Sequence, residues 1–371
     1  MSSDRKRLIL QILLFLLTIV CTTLAGSFWI HSRLIGFTDY TWKDFLGGLE
    51  YSIPFLLILT VHEFGHYFMA RYHKVKVTLP YYIPFPPLPF SLGTLGAVIR
   101  LRSRVYSKKQ NFDIGIAGPL AGFVMTLIVL FYGFTHLPEP EAIFQFHPEY
   151  EQFGLNYAEH VYKDLQEGDD ISIGKNLLFY FFENYVADIE RVPNSREIMH
   201  YPYLFAGFLS LIFTSLNLFP IGQLDGGHVS YGLFGYRIHK LIATIAFFLL
   251  LLYAGIGVID LNLPPGKLSL WVGGTLLFLY ISLYGLGLPP KDTLMYSLVI
   301  LTFLIIGSWL FPAAQGYPWW LLFIFIVGRF IGIGHPPSEI EEPLDNKRII
   351  LGWVALVIFV ISFSPSPINI D

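Results

Sequence analysis

Apolar residues in this chain are gathered into long runs that short polar stretches separate. Each run holds roughly twenty residues, the length that an α-helix needs to cross about 30 Å of hydrocarbon. The pattern predicts nine spans, at residues 8–30, 50–70, 114–135, 201–224, 241–259, 268–288, 293–312, 317–334 and 349–363. We therefore expect an all-α polytopic membrane protein with about nine transmembrane helices.

The segment between the second and third predicted spans departs from this helical pattern. Residues 81–90 contain four prolines, which exclude a regular helix. Over residues 99–105, apolar or hydroxyl side chains alternate with three arginines, a period of two that indicates a strand, and Gly93 and Gly96 permit a turn before it. We predict a short re-entrant or interfacial β segment near residues 80–105, which lines protein or a water-filled cavity. A cytoplasmic hairpin without a functional role is the alternative.

The lysines and arginines of the loops fall mostly on one side of the predicted spans. The positive-inside rule assigns that side, with the N-terminus, to the cytoplasm. The acidic stretch 139–197 then forms a small external region, to which we assign no chemistry. Its aromatic patch 177–185 fits either an amphipathic interfacial helix or a packed loop. Residues 8–30 could form a signal peptide, but their apolar run exceeds the roughly 7 to 15 residues of such a peptide, so we expect a retained helix.

The composition supports a membrane protein and argues against nucleic-acid binding and against cysteine-based sites. Of 371 residues, 54% are hydrophobic and only 14% are charged, whereas about a quarter are charged in an ordinary soluble domain. The net charge of -3 provides no basic field that would attract nucleic acid. Cys21 is the only cysteine, so the chain offers neither an internal disulfide nor a cysteine-ligated metal site.

The second span carries three ionisable residues in the sequence His62-Glu63-Phe64-Gly65-His66. A charge inside a membrane costs about 2.5 to 3.5 kcal/mol even on a lenient scale, so such residues are by default functional. Histidines at positions i and i+4 share a helix face and can bind one Zn²⁺. Glu63 beside them can take a proton from the attacking water, as in the HExxH metalloproteases. Two satisfied core histidines are the alternative, but that interpretation does not explain the carboxylate.

A catalytic zinc needs a third protein ligand as well as an open position for water. Asp225 is the best candidate because it closes the fourth apolar span, where Pro220 removes a helical hydrogen bond and two glycines free the backbone. A helix cap at the cytoplasmic boundary is the other interpretation of Asp225. The competing ligand candidates are Asp113, His228 and His335.

Two motifs together resemble a known family. HEFGH at residues 62–66, followed farther along the chain by NLFPIGQLDGG at residues 217–227, resembles the site-2 proteases, zinc metalloproteases that cut within membranes. Residues 115–122, GIAGPLAG, are similar to that family's small-residue segment. The resemblance covers roughly residues 50–230. It implies zinc held by His62, His66 and Asp225, Glu63 as general base, and Asn217 near the substrate backbone.

The resemblance implies a zinc metalloendopeptidase that acts in the lipid bilayer on membrane proteins with one or more transmembrane helices. It suggests three parts: residues 1–49 with the first transmembrane helix and an external loop, residues 50–235 as the catalytic membrane core with an external loop at 136–200, and residues 236–371 as the C-terminal transmembrane helices. The PDZ and CBS domains of many family members are not recognisable. Because the chain keeps HExxH and no transit segment is evident, we expect a bacterial inner membrane.

A metal-ion or proton transporter using the same buried residues is the rival function. Transporters commonly consist of repeated halves with matching broken helices. Neither HEFGH nor NLFPIGQLDGG has a second copy in the sequence, which favours the protease.

Overall fold

The computed structural model describes residues 3–163 and 171–370. The chain divides into two compact units. The first unit comprises Met1–Tyr106, Asp113–Asn217 and Trp353–Asp371, and the second unit comprises Ser107–Phe112 and Leu218–Gly352. The three-part division of the sequence given above stays a prediction.

Most of the described residues are helical. The α-helices are α1 (Ser3–His31), α2 (Trp42–Tyr72), α3 (Lys108–Thr135), α4 (Ala158–Val161), α5 (Leu177–Tyr185), α6 (Pro202–Asn217), α7 (Asp225–Gly255), α8 (Pro265–Tyr284), α9 (Pro290–Leu310), α10 (Trp320–Ile326) and α11 (Asn346–Ser362). Short 3-10 helices occur at Pro140–Gln145, Pro148–Asn156, Ile189–Arg191 and Ile198–His200, and a π-helix at Val327–Ile331 continues α10. The strands are β1 (Tyr81–Pro84), β2 (Thr94–Val98), β3 (Ile171–Ile173) and β4 (Ile368–Ile370).

The predicted helical class is confirmed, but the predicted count of nine spans is not. Among the described residues, 6 helices are long and apolar enough to cross a membrane, namely α1, α2, α3, α7, α8 and α9. The fourth predicted span, 201–224, is helical only to Asn217, because the chain turns at Pro220 and Gly222, whose φ is 57°. Apolar composition alone does not show where a helix stops.

Close backbone packing joins α1 to α2 in the first unit. Helix α2 begins at a capping box, in which the Thr41 side chain and the Asp44 carboxylate each accept from the other's backbone N–H. A Cβ placed on Gly26 would lie 2.5 Å from the Gly48 carbonyl oxygen, so glycine lets these backbones approach. Nearby, the Thr22 and Ser52 hydroxyls share a buried hydrogen bond of 2.6 Å.

A β-hairpin forms within residues 80–105, as predicted, but its second strand lies elsewhere. Strands β1 and β2 pair antiparallel, with Tyr81 opposite Val98 and a register shift between Tyr82 and Pro84. The strand predicted at residues 99–105 is wrong, because that stretch makes only an isolated bridge between Val77 and Leu101. Its three arginines are exposed. The alternation of charged and apolar residues therefore reflects exposure of the arginines to solvent and does not indicate a strand of the hairpin.

The hairpin is held against α1 by polar contacts. The Gln11 amide donates to the Leu79 carbonyl at 2.6 Å, and the Trp29 indole donates to the Ser91 carbonyl at 2.9 Å. Gly93, at a φ of 77°, lies against the backbone of Thr22, where a Cβ would clash. These contacts fix the hairpin at both of its ends.

The acidic region after α3 has a small core of its own. Ile143, Tyr150 and Tyr157 form that core. The aromatic patch 177–185 is the helix α5, whose Phe179 and Phe182 are buried while Tyr180 and Tyr185 are exposed. Among the two interpretations of this patch, the structure supports a helix.

Candidate metal centre

Three ionisable side chains are buried on α2. His62, Glu63 and His66 are exposed by only 6%, 6% and 7%. Because α2 is a regular helix here, the two histidines share one face, and their Nε2 atoms lie 3.1 Å apart. The Glu63 Oε1 atom lies 4.0 Å from His62 Nε2. The structure therefore brings together the three residues that the sequence predicts on this helix.

The two imidazoles fit a zinc ion. Zn–N bonds of about 2.0 to 2.1 Å in a tetrahedral site place ligand atoms about 3.3 Å apart, close to the spacing of the two Nε2 atoms. The Nδ1 atom of His66 lies 2.6 Å from the Ile114 carbonyl oxygen. A carbonyl only accepts, so Nδ1 carries the proton and Nε2 keeps its lone pair for a metal.

Small residues of α3 make room for the histidines. A Cβ on Gly118 would clash with the His66 imidazole, and a Cβ on Gly122 would lie 3.0 Å from the Cβ of His62. Gly65 on α2 faces the Ala117 backbone in the same way, with its Cβ position 2.5 Å from that carbonyl oxygen. The small-residue segment 115–122 thus packs directly on the HEFGH turn.

A cavity of about 170 Å³ opens beside these residues within the first unit. His62 and Glu63 line it on one side, and residues 95–98, from β2, line it on another. Asn217, the last residue of α6, also lines the cavity, and its Nδ2 lies 3.5 Å from His62 Nε2. The Glu63 carboxylate, the Asn217 amide and strand β2 therefore all border the same cavity.

Asp225 is the first residue of α7, is half-buried, and belongs to the second unit. The broken helix end expected there is present, because residues 218–224 separate α6 from α7 and a Cβ on Gly226 would clash with the Leu218 carbonyl. Its role as third ligand stays a prediction.

The competing ligand candidates already have partners. The Asp113 carboxylate lies 2.8 Å from His73 Nε2 in the first unit. His228 Nδ1 lies 2.8 Å from His335 Nε2 in the second unit. These contacts give all three competitors a structural role, and the preference for Asp225 continues to rest on the sequence motif that contains it.

Sequence comparison assigns the chain to a family. The profile described as Peptidase family M50 matches residues 50–253, which is more than half of the chain. The chain belongs to peptidase family M50. The match includes the HEFGH turn, the hairpin, α3, α6 and nearly all of α7, and it confirms the resemblance to the site-2 proteases.

Plant proteins are among the relatives of this M50 chain. The probable zinc metalloprotease EGY1, chloroplastic, of Oryza sativa subsp. japonica is 28% identical over 243 residues, which cover 61% of this chain and 38% of the rice protein. The Arabidopsis thaliana protein of the same name is 28% identical over 196 residues, covering 53% and 31%. The chain thus matches about a third of the length of these relatives. No solved structure matches it.

Sequence reasoning missed two residues that line the cavity of the candidate site. Ser210 and Thr214 line the cavity together with Asn217. Their spacing of four and then three residues puts all three on one face of α6. These three residues form a polar stripe on an otherwise apolar helix. That stripe could have been found from the periodicity alone.

Proposed function

We propose that this chain is a zinc-dependent endopeptidase that cleaves single-span and other helical membrane proteins within or near their transmembrane helices. One observation carries the proposal: His62, Glu63 and His66 are buried together, with a zinc-compatible nitrogen pair, on a helix long and apolar enough to span a membrane. Burying such groups in an apolar helix is costly without a function. The relatives' names, probable zinc metalloproteases, support the same chemistry.

His62, His66 and Asp225 would hold the zinc ion, which supplies Lewis acidity to activate water and polarise the scissile carbonyl. Glu63 accepts the proton of the attacking water as general base and then gives it to the leaving amine. Glu63 lines the cavity in which the attacking water and the leaving amine would lie. The Asn217 amide donates a hydrogen bond to the substrate backbone, and can share developing negative charge.

Strand β2 provides a backbone edge for an extended substrate segment. Its sheet has two strands, and β1 occupies one edge of β2. Residues 95–98 line the cavity that also contains Glu63. A segment that pairs with this edge by main-chain hydrogen bonds would hold its peptide bonds beside the general base. This supports the earlier interpretation of the β segment as functional.

The rival transporter function has no support among these observations. The family and the named relatives are peptidases and metalloproteases. Glu63 within the HExxH pattern also has a specific task in hydrolysis, whereas a transported ion requires only the ligands.

The purified chain of 371 residues and a fluorescently labelled single-span peptide test the proposed activity. We expect cleavage that a zinc chelator stops and that added Zn²⁺ restores, because the ligand set favours zinc. The matched control is protein with His62 and His66 both changed to Gln, which should not cleave. Cleavage by that variant at the wild-type rate would mean a contaminating protease and would refute the assignment.

The chain is a multi-pass membrane protein, and we propose that its N-terminus is cytoplasmic, in a bacterial inner membrane. The distribution of lysines and arginines supports the orientation. The named relatives are chloroplastic, so a chloroplast membrane is the competing location. Either location leaves the order of the helices unchanged.

Single cysteines test the orientation. In protein whose Cys21 is changed to Ser, Lys76→Cys and Glu159→Cys place thiols at two exposed positions on opposite predicted sides. We expect an impermeant thiol reagent applied to intact cells to label position 159 only, and to label both positions after lysis. Labelling of position 76 alone in intact cells would mean that the orientation is opposite to the one proposed.

A further inference from the structure

A second group of metal-ligating side chains lies in the acidic region of the first unit. His147 precedes the 3-10 helix Pro148–Asn156, and Glu197 and His200 stand next to or in the 3-10 helix Ile198–His200. Glu197 and His200 are buried, with exposures of 3% and 7%, and His147 is half-buried. Nothing in the proposed peptidase chemistry uses these residues.

The ligand atoms of this group form a triangle. His147 Nε2 lies 3.1 Å from His200 Nε2, and Glu197 Oε2 lies 3.5 Å from each of them. A tetrahedral zinc ion with bonds of about 2.0 to 2.1 Å separates its ligands by about 3.3 Å. The three atoms therefore occupy three corners of a zinc tetrahedron and leave the fourth corner open.

The outer contacts orient the ligand atoms toward the centre of the triangle. His200 Nδ1 lies 2.5 Å from the Ile30 carbonyl oxygen, so this nitrogen carries the proton and Nε2 has the lone pair. His147 Nδ1 lies 3.1 Å from a Glu149 carboxylate oxygen, which favours the same tautomer. The Tyr162 hydroxyl donates to the other oxygen of Glu197. Carbonyl and carboxylate partners of this kind commonly position metal-binding histidines.

The three side chains offer ligand types that Zn²⁺ prefers, namely two imidazole nitrogens and one carboxylate oxygen. Their ligand atoms all lie within 4.8 Å of one another. A cation at the centre of the triangle would be bound by all three atoms at once.

We propose that His147, Glu197 and His200 bind a second zinc ion, separate from the ion at His62 and His66. The site would join the end of α1, through the contact of His200 with Ile30, to the residues just before α6, and so hold the acidic region against α1 within the first unit. A cavity of about 580 Å³, which His200 and Phe146 help to line, provides a route for the ion.

Metal analysis of the purified 371-residue chain distinguishes the two zinc ions. We expect about two zinc ions per chain in the wild type, about one in Glu197→Gln, about one in the variant with His62 and His66 changed to Gln, and about none in the combination. Glutamine at position 197 keeps the shape and most hydrogen bonds but removes the charge. His160→Gln is the matched control, because His160 is an exposed histidine of the same region and should leave the count at two.

The alternative occupant is a proton shared between the imidazoles and Glu197, since the hydrogen bond to Glu197 raises the pKa of His147. To decide between them, protein lacking His62 and His66 is titrated with Co²⁺ and with Zn²⁺. We expect the absorption bands of tetrahedral Co²⁺, loss of those bands in Glu197→Gln, and slower proteolysis of residues 140–200 when metal is present. The second site would be overturned if no Co²⁺ bands appeared and if this protein bound no more zinc than the variant that also carries Glu197→Gln. Because the peptidase ligands are already removed, failure of the proposed protease would not affect this result.

Discussion

Changing Glu63 to Gln is expected to stop peptide hydrolysis while zinc remains bound. Glutamine has nearly the same volume, so the buried site keeps its packing, but the amide cannot take a proton from the attacking water. General-base catalysis contributes about 10² to 10⁴-fold, and we expect a loss of at least this size. Rates are measured with the single-span peptide, and zinc content is measured on the same preparation.

The matched control is Glu50→Gln, which changes an exposed carboxylate on the same helix and should leave both quantities unchanged. Two results would contradict the assignment. Near wild-type hydrolysis by Glu63→Gln would show that another group is the base. Loss of zinc together with activity would instead make Glu63 a ligand.

Changing Asp225 to Asn should lower zinc retention at the His62 and His66 site by about tenfold or more and abolish cleavage. A neutral amide is a much poorer partner for Zn²⁺ than a carboxylate. The substitution also separates the two interpretations of Asp225, which follows the N-cap Leu224 as the first residue of α7. If Asp225 only stabilises the helix N-terminus through its charge, Asn should cost about 0.3 to 1 kcal/mol of stability and leave zinc and activity unchanged.

Asp292→Asn provides the comparison for this experiment. Asp292 lies in the first turn of α9, is exposed, and carries the same charge near a helix N-terminus of the same unit. We expect it to retain full zinc content and full activity. If Asp225→Asn behaves like Asp292→Asn, Asp225 is only a cap, and Asp113 and His228 become the next candidates.

The helix-borne part of the site could be predicted because it depends on local geometry. The spacing of His62 and His66 fixes their common face. Proline and glycine around Pro220 likewise predicted the break before α7. Both inferences needed only the neighbours of a residue along the chain, whereas the packing of residues 115–122 on the histidines was implied by the family resemblance alone.

The misjudged parts depend on contacts between distant segments. Residues 99–105 alternate as a strand would, yet the partner of β1 is residues 94–98, and only tertiary pairing decides between them. The histidine and glutamate cluster was missed for the same reason. Glu197 and His200 form a recognisable pair three residues apart, but His147 joins them from across the acidic region.

The edge of β2 determines which property of a substrate would control its turnover in the proposed reaction. A segment that pairs with this edge must be extended, so a substrate helix would have to uncoil locally before its peptide bonds reach Glu63. The observed rate would then contain the opening equilibrium of the substrate. A Gly in place of Ala shifts helix stability by about 1 kcal/mol, or roughly fivefold in that equilibrium. Substrates with less stable helices would therefore be cleaved faster, before any side chain is recognised.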